Sequence, residues 1–313
     1  MARSADPIIA YAVNLRSRNL VSFDLATPAL TTTIAPQARD IYAGDFFGGD
    51  FSRLHVIDNA TSQLMTLDTT TGAESLVAAL TRPPGTALWT GMAADAVSGR
   101  VYVTLIDESG ETTTLATIDP ATGAASVIGI VSPATLVIDI AASATGDLYG
   151  VDIDNDSLIR IDKRSGFATV IGPLGFDANF AQDLDFDERD NVLYMASHAG
   201  NGDGTLRRVD LGTGHATTIG RIGTSGQYDA FAIARAGVCT QDIDVPWLSI
   251  SATAGVVGPG DSDSVTVQVD SAGLADGGHA ATLCLRTSDA GRGLTPIPVY
   301  LHVGDNVFRD GFE

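Results

Sequence analysis

A five-residue phrase ending in aspartate recurs five times along this chain, and a chain so built must stack or circle five similar units. The copies are Leu20–Asp24, Leu64–Asp68, Leu115–Asp119, Leu158–Asp162 and Leu206–Asp210. Their intervals, roughly 43 to 51 residues, match the four-stranded blades of a β-propeller. Four of the aspartates are followed four residues later by glycine, at Gly72, Gly123, Gly166 and Gly214. Asp opens such a turn by accepting backbone N–H bonds, and Gly closes it at positive φ. These aspartates therefore read as structural and not as a catalytic series.

Each phrase is preceded by a second strand: Tyr11–Val13, Leu54–Asp58, Val101–Thr104, Leu148–Asp152 and Leu193–Ala196. Further upstream lies a short strand of small residues and acids, in Tyr42–Asp45, Met92–Asp95, Ile140–Ser143 and Leu184–Asp187. Small side chains suit the crowded strand beside a propeller's channel. The first repeat lacks its own copy, and a fifth, Phe231–Ala234, appears only after the last repeat. Pairing that late strand with the first repeat closes the ring and removes the open sheet edges that invite aggregation. The expectation is an all-β chain with a five-bladed propeller, six blades being the alternative, over residues 8–236.

Composition narrows the partners. The chain has 313 residues, a formal net charge of −20 and a pI near 4.3. Nucleic acid and anionic membranes select for Lys and Arg clusters, so neither is an expected partner. Calcium or a neutral ligand fits better, although acidic charge also simply keeps a secreted protein soluble. No apolar run is long enough to span a membrane, and residues 1–7 hold no signal-peptide core. A secreted or cell-surface monomer, without its leader in this sequence, is the expectation.

The strings Asp40–His55, Trp89–Asp95, Asp147–Ile153 and Ala181–Asp187 resemble bacterial extracellular propeller regions that accompany secreted subtilisin-like peptidases and other surface proteins. The resemblance implies a module and not an activity. After a linker at 237–245, residues 246–304 alternate apolar and polar positions, as in Val265, Val267 and Val269, then Ala281, Leu283 and Leu285, then Ile297 to Val303. This pattern predicts a small antiparallel sandwich. It is similar to immunoglobulin-like repeats of bacterial surface proteins, with Trp247 as a core plug. Two cysteines, Cys239 and Cys284, read as one disulfide stapling linker to strand. The end of the chain, 305–313, resembles short tails of secreted Gram-negative proteins and is either a sorting signal or a plain terminus.

Catalytic motifs are missing. The five histidines form no HExxH pair, and no Gly-x-Ser-x-Gly elbow or recognisable triad surroundings occur. No catalytic residue is assigned and no cofactor is expected, calcium remaining open. Asp152, Asp154 and Asp156 alternate like the opening of an EF-hand, but Ser157 and Lys163 stand where that loop needs Gly and Glu. An Asx turn is the simpler reading there, and also for Asp185, Asp187 and Asp190. Aligning the repeats brings Asp40, Thr90, Ile138, Gln182 and Asp229 to one mouth of the channel, beside Trp89, Phe180 and Tyr228. Aromatic faces with acceptors at a concave place suit a glycan or peptide. The competing reading packs the aromatics between blades and leaves Asp139 and Asp183 to hold channel water. The expected function is thus a noncatalytic extracellular binding or adhesion module. The alternatives are a glycosidase-like secreted hydrolase with carboxylates at the mouth, or a structural spacer.

Overall fold

The computed structural model describes residues 7–180, 182–235, 245–258, 260–275, 277–286 and 294–304. Twenty strands form five four-stranded antiparallel sheets. β1 (Ile9–Asn14), β2 (Asn19–Asp24) and β3 (Thr32–Pro36) belong to the first blade. The second holds β4 (Ile41–Phe46), β5 (Arg53–Asp58), β6 (Gln63–Asp68) and β7 (Glu74–Ala79). The third holds β8 (Leu88–Asp95), β9 (Arg100–Ile106), β10 (Thr113–Ile118) and β11 (Ala125–Ile130). The fourth is β12 (Val137–Ala142), β13 (Leu148–Asp152), β14 (Ser157–Ile161) and β15 (Ala168–Pro173). The fifth is β16 (Asp183–Asp187), β17 (Val192–His198), β18 (Gly204–Val209) and β19 (Ala216–Arg221). β20 (Tyr228–Ile233) then returns to pair with β1, with Ala10 opposite Ile233 and Asn14 opposite Tyr228.

Each recurrent phrase forms the third strand of its blade, and the acid-bearing strands β20, β4, β8, β12 and β16 neighbour one another around the centre. The core consists of five apolar layers, one between each pair of blades. Leu64 and Ile57 of the second blade meet Trp89 and Met92 of the third. Leu115 meets Val137 and Ile140, and Val151 meets Phe186 and Leu193. Ile222 meets Phe23 and Phe231, and Leu20 meets Leu54 and Leu67. A sheet covered on both faces needs apolar residues at successive positions, which is why these strands alternate poorly.

The Asp-to-Gly turns do more than close hairpins. Asp68 and Asp210 accept backbone N–H bonds from residues two and three ahead, at 2.7–3.0 Å. Gly123 takes φ +74°, and a methyl group there would lie 1.9 Å from the Ala79 carbonyl oxygen at the end of the preceding blade's outer strand. Gly214 repeats this against Gly172 with φ +79°. The glycine is needed twice, for its backbone angle and for the approach of one blade to the next. Gly123→Ala is therefore expected to cost more than about 2 kcal/mol, since left-handed backbone alone costs roughly 1–2 kcal/mol with a Cβ. Urea denaturation measures this, and a loss below that range would contradict the double role.

Beyond the propeller, β21 (Leu248–Ile250) pairs with β22 (Val267–Val269), and β23 (Gly277–Arg286) with β24 (Leu294–Val303). The described residues thus give two separate strand pairs where the sequence suggests a sandwich. Cys239 and the tail at 305–313 lie outside the described residues, and among those described no cysteine is free.

Candidate functional site

The inner strand of each blade has one edge without a strand partner, so its N–H groups point into the channel. Aspartates of neighbouring blades meet them. Asp139 on β12 accepts from Met92 N on the preceding blade at 3.3 Å and from Leu184 N on the following blade at 2.7 Å. Asp183 accepts from Phe231 N at 2.8 Å. One layer further along, Asp45 accepts from Ala94 N at 2.7 Å and Asp185 from Ile233 N at 2.6 Å. Asp45 and Asp185 each use the second oxygen on the N–H of their own following phenylalanine, Phe46 and Phe186. This corrects one expectation from sequence, since Asp185 lies within β16 and is no turn residue; Asp139 gives both oxygens to backbone N–H groups and Asp183 gives one. Asp187 keeps its turn role, accepting from Arg189 N at 3.2 Å, and with Asp190 it also binds Arg235, which follows the closing strand.

No cation among the described residues forms an ion pair with these five channel aspartates, Asp45, Asp139, Asp183, Asp185 and Asp229. Burial raises the pKa of all five, to about 7 for Asp45 and about 8 for Asp183. The charge of Asp183 raises Asp139 and Asp229 further, and that of Asp45 raises Asp185. Gln227 favours the charged form of Asp229, yet neither oxygen of Asp229 finds a partner of hydrogen-bonding geometry. One oxygen of Asp183 is equally unpartnered.

The residues expected at the leading mouth, where inner strands begin, are mostly spoken for. Thr90, Ile138, Gln182 and Asp229 do occupy equivalent positions: the first two and Asp229 lie at or beside the β-bulges of their inner pairings, and Gln182 just before the regular start of β16. Asp40 does not: the second blade puts Tyr42 there, because the bulge falls between Ile41 and Ala43. Trp89 is completely buried, and Asn59 brackets its backbone N–H and carbonyl. Thr90 donates to Val137 O at 2.9 Å, and Tyr228 to Ile222 O at 3.0 Å. Gln182 clamps His198, donating to its carbonyl at 2.7 Å and accepting from its N–H at 3.0 Å. Asp229 is buried, Asp40 is half-buried, and Phe180, at 67 % exposure, stands out into solvent. Of the eight, Asp40, Ile138 and Phe180 reach the surface. Gln182→Ala should therefore act on stability, by about 1–3 kcal/mol for the groups left unpaired, with thermal melting as its measure.

Asp152, Asp154 and Asp156 bind different partners and do not converge. Asp152 accepts from Leu136 N, Asp154 N and Asn155, Asp154 from Thr135, and Asp156 from Ala178 N. Among the described residues no three Asp, Glu, His or Cys side chains converge to hold a metal ion.

Open space is found at the other, trailing end of the channel. A cavity of about 280 Å³ is floored by Asp45 and Asp185 and flanked by Phe46, Phe47, Phe51 and Phe186. Glu188, Arg100 and Arg235 stand at its sides. Phe51 meets Phe46 edge to face at 5.3 Å, and Phe47 stacks on His55 at 3.8 Å. Burial lowers the pKa of His55 to about 4, so the ring is neutral beside the cavity. The signal for this site lay in the sequence as two Asp-Phe pairs on inner strands, Asp45-Phe46 and Asp185-Phe186, which alignment by turns alone does not bring together.

A family described as a domain of unknown function, DUF4394, matches residues 19–232. The chain belongs to the DUF4394 family. No curated protein matches it. Among solved structures, this DUF4394 chain is similar to a calcium-binding regucalcin of Agrobacterium tumefaciens strain C58 at 20% identity, over 70% of this chain and 71% of that one, with a TM-score of 0.43. It is also similar to a nidogen–laminin complex, at 11% identity over 74% of this chain and 100% of that one, TM-score 0.48. A Bacteroides caccae protein of unknown function gives 9% identity over the same shares, TM-score 0.49. The DUF4394 match covers most of the propeller, β2 to β20, and the blade count comes from the chain's own five sheets.

Proposed function

We propose that this DUF4394 propeller is a noncatalytic extracellular binding or adhesion module that takes part of a glycan or peptide in the trailing-end cavity. The observation that carries the reading is the cavity itself: aromatic side chains and two carboxyls around open space at one end of the channel. Its volume, about 280 Å³, lies just below the range of small-molecule pockets. It therefore suits one side chain or one sugar ring at a time, with the rest of the ligand outside.

The test is thermal melting against a panel of glycans and peptides, since a ligand of the folded state alone raises the midpoint. A shift is expected that disappears when Ala94→Phe fills the cavity and survives Phe180→Ala at the leading end. A shift with the opposite pattern would return the site to the leading mouth. A hydrolase reading draws on the raised pKa of Asp45, which keeps a proton available near neutrality. Steady release of product from the same panel would favour it. Absence of any ligand together with regular self-assembly in light scattering would leave the spacer reading.

Secretion, the immunoglobulin-like sandwich at 246–304 and a Cys239–Cys284 disulfide belong to the same proposal. Thiol titration under denaturing conditions before and after reduction tests the disulfide, with two thiols expected only after reduction.

A further inference from the structure

Two carboxyls near the leading mouth differ from the other channel acids. Asp45, Asp139 and Asp185 give both oxygens to backbone N–H groups. Asp229 is wholly buried, yet neither of its oxygens has a partner of hydrogen-bonding geometry. Asp183, 1 % exposed, gives one oxygen to Phe231 N at 2.8 Å and leaves the other unpartnered. Three buried carboxylate oxygens are therefore open to a ligand, and among the described residues no Lys, Arg or His forms an ion pair with either group. A buried carboxylate is costly unless it is paired or bound to a metal.

The backbone holds these two carboxyls on neighbouring inner strands, β16 and β20. Asp229 stands at the bulge where β20 slips its register with β1, and Ala230 after it takes φ +52°. A methyl group at Gly44 on β4 would lie 2.5 Å from the Ala230 Cβ, so the second blade packs against this bulge. Asp183 grips the same bulge through Phe231 N, and its charge acts on Asp229. Asp40, half-buried at the leading mouth, also acts on Asp229 and on Tyr42. Negative charge thus runs from the mouth inward to the pair.

We infer that Asp229 and Asp183 bind one calcium ion inside the leading mouth, Asp229 through both oxygens and Asp183 through the oxygen that Phe231 N–H leaves free. Calcium accepts a carboxylate through both oxygens and takes about six to eight oxygen ligands in a flexible shell. Magnesium demands a near-octahedral shell and dehydrates reluctantly, so it matches this pair less well. Two side chains do not close the calcium shell, in keeping with the lack of three converging acids among the described residues; backbone carbonyls and water complete it. Asp139, with both oxygens taken, adds charge and no ligand. The ion clasps β20 to the fifth blade at the seam where the ring closes. It is independent of the trailing-end cavity, so the glycan and peptide panel tests a separate claim.

The experiment is isothermal titration and thermal melting of the full chain, stripped with chelator and held at constant ionic strength near pH 8, with calcium chloride and magnesium chloride as probes. Calcium at one hundred times its Kd should raise the melting midpoint by about 5–10 °C, and magnesium by clearly less. One calcium per chain should be lost in Asp229→Asn and in Asp183→Asn. In chelator both variants should melt at or above the parent, because each removes an uncompensated charge; in calcium both should melt below it. This reversal separates a ligand role from a merely structural one. Asp154→Asn, in the turn where Asp154 accepts from Thr135, should keep the full shift and controls for screening of surface charge. If Asp229→Asn does not fold, Asp183→Asn carries the comparison. No calcium shift, a shift retained in the channel variants, or an equal shift with magnesium overturns the inference.

Discussion

Asp139→Asn is expected to destabilise the propeller by about 2–4 kcal/mol, the cost of setting an amide NH₂ against a buried backbone N–H and losing an acceptor. Both oxygens of Asp139 serve N–H groups, Met92 on one neighbouring blade and Leu184 on the other, so the side chain ties three blades together. An amide offers one acceptor oxygen and two donors. Whichever way it turns, one blade faces a donor. Asp183→Asn makes the informative contrast. Only one oxygen of Asp183 has a partner, Phe231 N, and its charge acts on Asp139 and Asp229. An amide keeps the Phe231 bond, removes the charge and turns its donors to the side where Asp183 has no partner. At about pH 8 this variant should equal or exceed the parent in stability. Urea denaturation at about pH 6 and pH 8 measures both. Equal losses in the two variants would mean that the channel aspartates act as bulk and not as blade-to-blade acceptors.

Stability should fall as pH rises from about 4.5 to about 8, the reverse of a protein held by ionised carboxylates. The sign follows from the proton count. Asp45 at about 7 and Asp183 at about 8 hold protons in the folded chain that the unfolded chain has lost above its ordinary carboxyl pKa. Asp139, Asp185 and Asp229 shift the same way. Where the folded state binds more protons, raising pH destabilises it. One pK unit each for Asp45 and Asp183, at about 1.4 kcal/mol per unit, already gives about 3 kcal/mol. For a domain of this size that is about 6–12 °C in the melting midpoint. At the acid end the turn aspartates act oppositely. Hydrogen bonds from Thr71, Ala121 and Thr213 hold Asp68, Asp119 and Asp210 low, so their contribution is lost as pH falls through their folded pKa values. An optimum near pH 4 to 5 is the expected outcome. A midpoint that rises steadily to pH 8 would show that the channel carboxyls are ionised and compensated.

The turns were legible in sequence because their chemistry is local. Asp68 and Asp210 bond N–H groups two and three residues ahead, so the order of residues carries the whole interaction. The blades were legible because the phrase repeats and burial on both faces demands apolar residues at nearly every strand position. Asp40 was misplaced because Tyr42–Asp45 was matched to Met92–Asp95 by their similar residues, whereas the shared bulges, at Tyr42 in β4, Thr90 in β8 and Ile138 in β12, set the true correspondence two residues further along. Trp89 looked like a ligand platform because nothing local reveals that Asn59, thirty residues earlier, closes over its backbone.

The sequence alone therefore determined the repeating unit and its turns, set by contacts within about four residues or by period, and favoured five blades over six; the five sheets decided that count. What only the tertiary structure decided is the role of the inner-strand acids. Asp139 and Asp185 find their partners 45 to 48 residues away on neighbouring blades, through edge N–H groups that they reach only once the ring has formed. The cavity that unites Asp45-Phe46 with Asp185-Phe186 has the same origin, since circular closure, and no local preference, brings the second and fifth blades to one channel end.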